Sequence, residues 1–189
     1  LEKVIPSTLD SEHLFKILEN GSIVLSDSLS YNNKSAFYQL ELMACDSGGL
    51  LHNQTVKQCS QPVFLSILVN DQPDLDPQFV KEFYLASVSE DAPLNSSVLM
   101  VQAVDGDKGI NDVVIYNISN STRPGWFAIG DDGVIRVSGP LDREQLLEEN
   151  EEVQLQVTAT EKNLNIYGQE AKVSTWVTIT VLDVNDHKP

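Results

Sequence analysis

The second half of this chain restates the first, which limits it to a fold that works in tandem. Phe15-Lys16-Ile17-Leu18-Glu19-Asn20-Gly21-Ser22-Ile23-Val24-Leu25 lies against Phe127-Ala128-Ile129-Gly130-Asp131-Asp132-Gly133-Val134-Ile135-Arg136-Val137. Leu29 then falls against Leu141 without a gap, an offset of 112 (127 − 15 and 141 − 29). After one difference in loop length the offset becomes 115 (161 − 46 and 185 − 70), pairing Asp46 with Glu161 and Asn70 with Asn185. Two constant offsets over separate segments mark a true repeat. Within it the chain reads as short strands: 98–104, 153–159 and 176–181 are β-branched and partly alternating. Asn20-Gly21, Gly48-Gly49, Asp132-Gly133 and Gly139-Pro140 supply turns. The stretch 144–152 reads as a short acidic loop. Many short strands with regular turns predict an all-β sandwich.

The offsets predict a first repeat over 1–72, a linker over 73–78 and a complete second repeat over 79–189. Pro77 to Phe127 is 50 positions and Leu1 to Phe15 only 14, so 36 (50 − 14) lack counterparts in the first copy. Those would be its first two strands and the loop after them. The first repeat is therefore expected to be truncated at its N-terminus, a piece of a longer chain with a bare sheet edge.

Net charge is −16, from 28 acidic against 12 basic residues. Such a chain is repelled by nucleic acid and by anionic membrane surfaces. Cys45 and Cys59 allow a free pair or one bridge. Asn20, Asn33, Asn53, Asn95, Asn117 and Asn120 each open an Asn-x-Ser/Thr glycosylation acceptor, more than chance usually supplies in this length. They predict an extracellular chain, and there a Cys45–Cys59 bridge becomes the expectation. The sequence opens without a signal-like apolar run, and no stretch reaches the ~18 apolar residues of a membrane helix. A membrane anchor is expected outside it.

Acidic residues recur where strands end. Ser89-Glu90-Asp91 follows the first strand of the second repeat and Asp105-Gly106-Asp107 the second. Leu141-Asp142-Arg143-Glu144 comes later, Glu161 ends a long strand, and Asp183-Val184-Asn185-Asp186 closes the repeat. Alternate loops of a sandwich share a pole, so Glu90, Asp142 and Glu144 are expected at one end with the Asp183–Asp186 exit. Asp105, Asp107 and Glu161 are expected at the other. Several carboxylates at one pole repel unless a cation neutralises them, and oxygen-only ligands suit Ca²⁺. A single Asp or Glu is ordinarily a solvated surface charge; five spaced motifs in one repeat argue against that here.

In this order and spacing, these motifs resemble the extracellular repeats of the cadherin superfamily. Ala103-Val104-Asp105-Gly106-Asp107-Lys108-Gly109-Ile110-Asn111 and Gly133-Val134-Ile135-Arg136-Val137 add to the likeness, which is strong over 77–189 and weaker over 1–76. The resemblance implies tandem seven-stranded Greek-key, immunoglobulin-like sandwiches with Ca²⁺ rigidifying each junction. It implies ligands at the exit of the complete repeat from Glu90, Asp142, Glu144, Asp183, Asn185 and Asp186, with His187 where the family usually has Asn. At the junction between the repeats it implies Asp105, Asp107, Glu161, Asn70, Asp71 and Asn111. There Ser30 and Asn32 align with Asp142 and Glu144, and Leu68 with Asp183, so three carboxylates are missing and fewer ions are expected. The wording is most similar to non-classical, microvillar members. That implies a cell-surface, calcium-dependent adhesion receptor of single-pass type, binding other cadherins homophilically or heterophilically, with a mucin-like protocadherin as a plausible partner.

Two other readings compete. Asp142 and Glu144 as a glycosidase pair would need a cleft and flanking aromatics, and aromatics are only 7 % of the chain. His13, His52 and His187 are far apart, and no nucleophile set, phosphate loop or Cys-x-x-Cys is present, so an enzyme is not expected. A structural spacer without adhesive contacts of its own is the serious alternative. Trp126 and Trp176 sit in strand-like patterns and are expected in the core rather than as adhesive anchors.

Overall fold

Period-two patterning makes the two longest strands and sets which side chains face inward. The computed structural model describes residues 1–8, 11–51 and 54–184, in two units, Leu1–Asp71 and Gln72–Pro189. In the second unit the longest strands are β15 (Glu152–Leu164) and β16 (Glu170–Leu182). Val153, Leu155, Val157 and Ala159 of β15 and Val177, Ile179 and Val181 of β16 are fully buried or nearly so, while the residues between them face outward. The same parity carries inward to Glu161, which is 5 % exposed.

The rest of this unit is β8 (Gln78–Phe79), β9 (Tyr84–Ser89), β10 (Ser97–Met100), β11 (Ala103–Val104), β12 (Val114–Ser121), β13 (Phe127–Ile129) and β14 (Val134–Val137). One sheet runs β12-β15-β16-β9, antiparallel except for the parallel β16/β9 pair. Opposite it are β10-β14-β13 and β11-β8. The segment 98–104, expected as one strand, breaks at Val101-Gln102. There the Val101 N–H donates to Gly133 O (2.9 Å), and the Tyr84 hydroxyl donates to Gln102 O (3.1 Å). The chain thereby passes from pairing with β14 to pairing with β8. Taking β8 with β9 and β10 with β11, two sheets of seven strands close a sandwich, the fold class that the alternation predicts.

The acidic stretch 144–152 is not simply a loop. A 3₁₀ helix spans Arg143–Glu149 because Asp142 caps it, accepting from the Gln145 N–H at 3.3 Å, while Leu146 is fully buried against the sheet. Burying that leucine contributes roughly 1.5–3 kcal/mol. The tryptophans depart from expectation too. Trp126 packs at the edge of the core with the Arg123 guanidinium 6.0 Å from its ring centroid, but Trp176 is 53 % exposed. It has the outward parity of β16, between buried Val177 and part-exposed Thr175.

The first unit contains β1 (Lys3–Ile5), β2 (Phe15–Ile17), β3 (Ile23–Leu25), β4 (Phe37–Leu42), β5 (Gly49–Leu51), β6 (Gln54–Val56) and β7 (Val63–Leu68). They pair as β1-β4-β7, β2-β3 and β5-β6. β2 stands against β13 at the offset of 112, and β4 begins 115 positions before β15 (152 − 37). Among the described residues this unit has no counterpart of β8 to β11. In the second unit β9 pairs along β16; β7 is an edge strand, with Val63, Phe64 and Leu68 more than half exposed. Its core is small: Val4, Leu14, Phe15, Tyr38 and Leu40, with Phe15 edge-on to Tyr38 at 5.2 Å. Beyond that core, a disulfide joins Cys45, after β4, to Cys59, before β7, with Cα atoms 4.0 Å apart at an isolated antiparallel bridge. Of the sequons, Asn20, Asn33, Asn95, Asn117 and Asn120 are exposed, and Asn53 lies outside the described residues. Asn70 and Asp71 close the first unit.

Candidate metal centre

At one pole of the second unit, loops between strands gather carboxylates. Asp105-Gly106-Asp107 follows β11 and Asp112 precedes β12, while Glu161 ends the inward face of β15. Asp105 is held by backbone donors: Oδ1 accepts from the Asp107 N–H (2.8 Å) and Oδ2 from the Asp112 N–H (2.6 Å). Asp112 is clamped by Asn163, whose N–H and side-chain amide each donate at 2.9 Å. Asp107, 3 % exposed, accepts from the Leu75 N–H at 3.4 Å. Glu161 differs from all of these. Its Oε1 is buried and has no hydrogen-bond partner among the described residues. Burial, reinforced by the charges of Asp105, Asp107, Asp112 and Asp76, pushes its carboxyl up to about 7 from the ordinary 4.5. The repeated position in the first unit is unlike it. Asp46 is exposed and accepts from the Gly48 and Gln58 N–H groups (both 2.9 Å), which lowers its pKa.

At the opposite pole Glu90 is the organiser. Its Oε2 accepts from the Arg143 N–H (3.1 Å) and its Oε1 from the Val184 N–H (2.7 Å). One glutamate thus ties the Asp142-Arg143-Glu144 segment to the chain leaving β16. The Arg143 guanidinium pairs with Glu151 and stands 3.8 Å from Asp183. Asp142 is held below the ordinary carboxylate range by hydrogen bonds from Gln145, the side-chain amide foremost at 2.7 Å. Glu90 thus contacts the segment that holds Asp142 and Glu144, and Asp183 stands near the Arg143 guanidinium, whereas Asn185, Asp186 and His187 lie outside the described residues.

Among the described residues no three Asp, Glu, His or Cys side chains converge as a ready-made metal cluster. The carboxylates stand around each pole, held apart by the backbone donors just named. Oxygen donors alone, several of them anionic, with one buried oxygen left unpaired, still fit a hard divalent cation rather than a thiophilic one.

A family description of the cadherin domain matches residues 84–182, more than half of the chain. The chain belongs to the cadherin family. It is 78 % identical over its whole length to human cadherin-related family member 2 and 76 % identical to the mouse protein of that name. It spans 14 % of the length of each. Among solved structures, mouse protocadherin-24 EC1-3 superposes with a TM-score of 0.92 at 75 % identity, covering 96 % of this chain and 57 % of that one. These findings agree with the resemblance to cadherin extracellular repeats and with the β-sandwich fold.

Sequence reasoning missed two members of the Glu161 pole. Asp112 directly follows Asn111, and its clamp on Asn163 joins two loops that no local pattern connects. Asp76 belongs to the linker, where neither a strand nor a helical period marks it. Gly106 is explained by the same linker. A Cβ there would stand 2.3 Å from the Asp76 carbonyl oxygen and 3.0 Å from the Leu75 Cβ. Gly106→Ala should therefore push the linker off this cadherin repeat and cost about 1 kcal/mol, read as a lower midpoint in urea unfolding.

Proposed function

We propose that this cadherin fragment is part of an extracellular adhesion rod in which calcium at the acidic poles stiffens the repeats. The observation that carries this is Glu161: a carboxylate is buried against other carboxylates, its Oε1 unpaired, on the inward face of a strand. Burial of that kind is costly without a countercharge. A cation supplies one. Glu161, Asp105 and Asp107, with the Asn111 carbonyl, would hold calcium at this pole. Glu90, Asp142, Glu144 and Asp183, continued by Asn185 and Asp186, would hold it at the other. Calcium contributes positive charge that ties loops from several strands together, which removes their freedom to splay. The protein's own residues set where that charge goes: Glu90 fixes the exit segment, and the period of β15 aims Glu161 inward.

The same resemblance proposes homophilic or heterophilic contact with other cadherins at the cell surface, between microvilli, with a mucin-like protocadherin as partner. The spacer reading is favoured by Asn117 and Asn120, both exposed on β12, since sugars there would shield that face.

Both tryptophans of the chain lie in the second unit, so their fluorescence reports its unfolding. With calcium at tenfold excess over Kd, one site adds about 1.4 kcal/mol and the melting temperature rises by roughly 5 °C over the chelated protein. Glu144→Ala should blunt that rise. Equal melting with calcium and with chelator would refute the proposal.

A further inference from the structure

The outward face of the sheet β12-β15-β16-β9 carries no charge at its centre, in a chain of net charge −16. From Gln154 to Thr160 on β15 and from Ser174 to Thr180 on β16, its outward residues are glutamine, threonine, serine and Trp176. Their hydroxyls meet one another: Thr158 Oγ1 donates to Ser119 Oγ (3.0 Å) and lies 2.8 Å from Ser174 Oγ. Trp176 stands on this ledge more than half exposed, and Leu85 of β9, opposite Thr178, adds a second exposed apolar side chain.

A bulge brings a glycosylation acceptor onto the same face. Ile118 stands opposite Val157, so unbroken pairing would set Asn120 opposite buried Leu155, facing the core. The register shifts between Ile118 and Asn120, and Asn120 comes opposite outward-facing Gln156 instead. Gln156 in turn lies opposite Trp176. Asn120, Gln156 and Trp176 thus form one row across three strands, the acceptor ~10 Å from the tryptophan by ordinary strand spacing. Asn120 is exposed and opens Asn120-Ser121-Thr122; its Oδ1 accepts from the Ser121 N–H (2.8 Å), while a sugar attaches at its amide nitrogen.

We propose that the N-linked glycan of Asn120 folds back over this face, its first sugars crossing Gln156 to stack on Trp176. The inference deepens the reading in which sugars shield this face, and it rests on Asn120 carrying one. A pyranose ring turns weakly positive C–H bonds toward the negative face of the indole. Its hydroxyl and N-acetyl groups meet the amide of Gln156 and the hydroxyls of Thr158 and Ser174 beneath, and a neutral sugar suits an uncharged ledge. Asn117 lies opposite Thr158, in the row of Ser174 rather than that of the tryptophan. The competing seat is a cleft of about 340 Å³ lined by Asn120, Pro124, Gly125 and Phe127. Its one aromatic ring, Phe127, is buried and offers a sugar little surface.

The test uses the full chain secreted from mammalian cells as parent, Asn120→Gln, Asn117→Gln, Trp176→Ala and the Asn120→Gln/Trp176→Ala double variant. Peptide mass should show a glycan at Asn120. Acrylamide quenching of tryptophan fluorescence should rise about twofold in Asn120→Gln, because Trp176 loses its cover, and stay at the parent's level in Asn117→Gln. The melting temperature should fall by about 4 °C in Asn120→Gln, whereas the same change in the Trp176→Ala background should shift it by under about 1 °C. Trp126 at the edge of the core still reports unfolding in that background. No glycan at Asn120 overturns the inference together with the shielding at that residue. A glycan at Asn120 whose removal leaves quenching unchanged overturns the inference alone. An equal melting loss in both backgrounds does the same, since the sugar would then act without Trp176. If Asn117→Gln raises quenching instead, the other sugar covers the tryptophan and the assignment to Asn120 fails.

Discussion

In chelator at pH 8, Glu161→Gln is expected to unfold at a higher temperature than the parent chain; in saturating calcium the order should reverse. A buried glutamate whose carboxyl is pushed up to about 7 has a folded state that prefers the proton more than the unfolded state does. Its contribution to stability is full below the ordinary value of 4.5 and is lost as pH rises through about 7. Above that, the folded protein carries an unneutralised buried charge whose cost is on the order of 3 kcal/mol. Glutamine removes the charge, and its amide can donate to the carboxylates around it. The variant should therefore gain about that much at pH 8 and almost nothing near pH 4.5. With calcium bound, the charge becomes an asset and the variant lacks it. Tryptophan-monitored melting across pH, with and without calcium, checks all of this. Parent and variant melting together at pH 8 in chelator would show that Glu161 is not strained by its surroundings.

Replacing Cys45 and Cys59 together by serine should cost the first unit about 3 kcal/mol in the chain-entropy account of a short cross-linked loop. The separation of 14 residues sets that figure. The unit depends on the bridge because, among the described residues, its buried core holds five apolar side chains. β7, moreover, is an edge strand among the described residues. Hydrogen exchange at Tyr38 and Leu40 in β4 should accelerate by roughly a hundredfold. The second unit, with its own larger core and both tryptophans, should melt as before. Unchanged exchange in β4 would mean that the bridge only decorates an already stable hairpin.

Much of the fold was legible because β-strands announce themselves twice, by period and by repetition. β15 and β16 alternate over most of their length, and the recurrence of Phe15–Leu25 at Phe127–Val137, which fixed the repeat, covers the segments that form β2, β3, β13 and β14. What escaped depended on contacts distant in sequence. Trp176 looked like core because aromatic residues in strands usually are; its outward parity becomes clear only once buried Val177 fixes which face is inward. The 3₁₀ helix escaped because a single leucine, Leu146, anchors it and one residue has no period. The break at Val101-Gln102 needed Tyr84 and Gly133 to be in place.

The candidate centre divides the same way. Motif residues such as Glu90, Asp142, Asp105 and Asp107 could be listed from spacing alone. The burial of Glu161 could also have been read from the sequence, since it continues the parity of Val153 through Ala159. Asp76 could not, because linker residues are placed by the contacts of Pro73, Leu75 and Gly106.

Calcium titrated calorimetrically into the chelator-stripped chain tests the central claim most directly. Saturable binding with Kd of roughly 10⁻⁴ to 10⁻³ M, weakened by Asp107→Asn and by Glu144→Ala, is the predicted result. Heats no larger than dilution for the parent chain would contradict it, leaving a cadherin sandwich whose acidic poles bind no calcium.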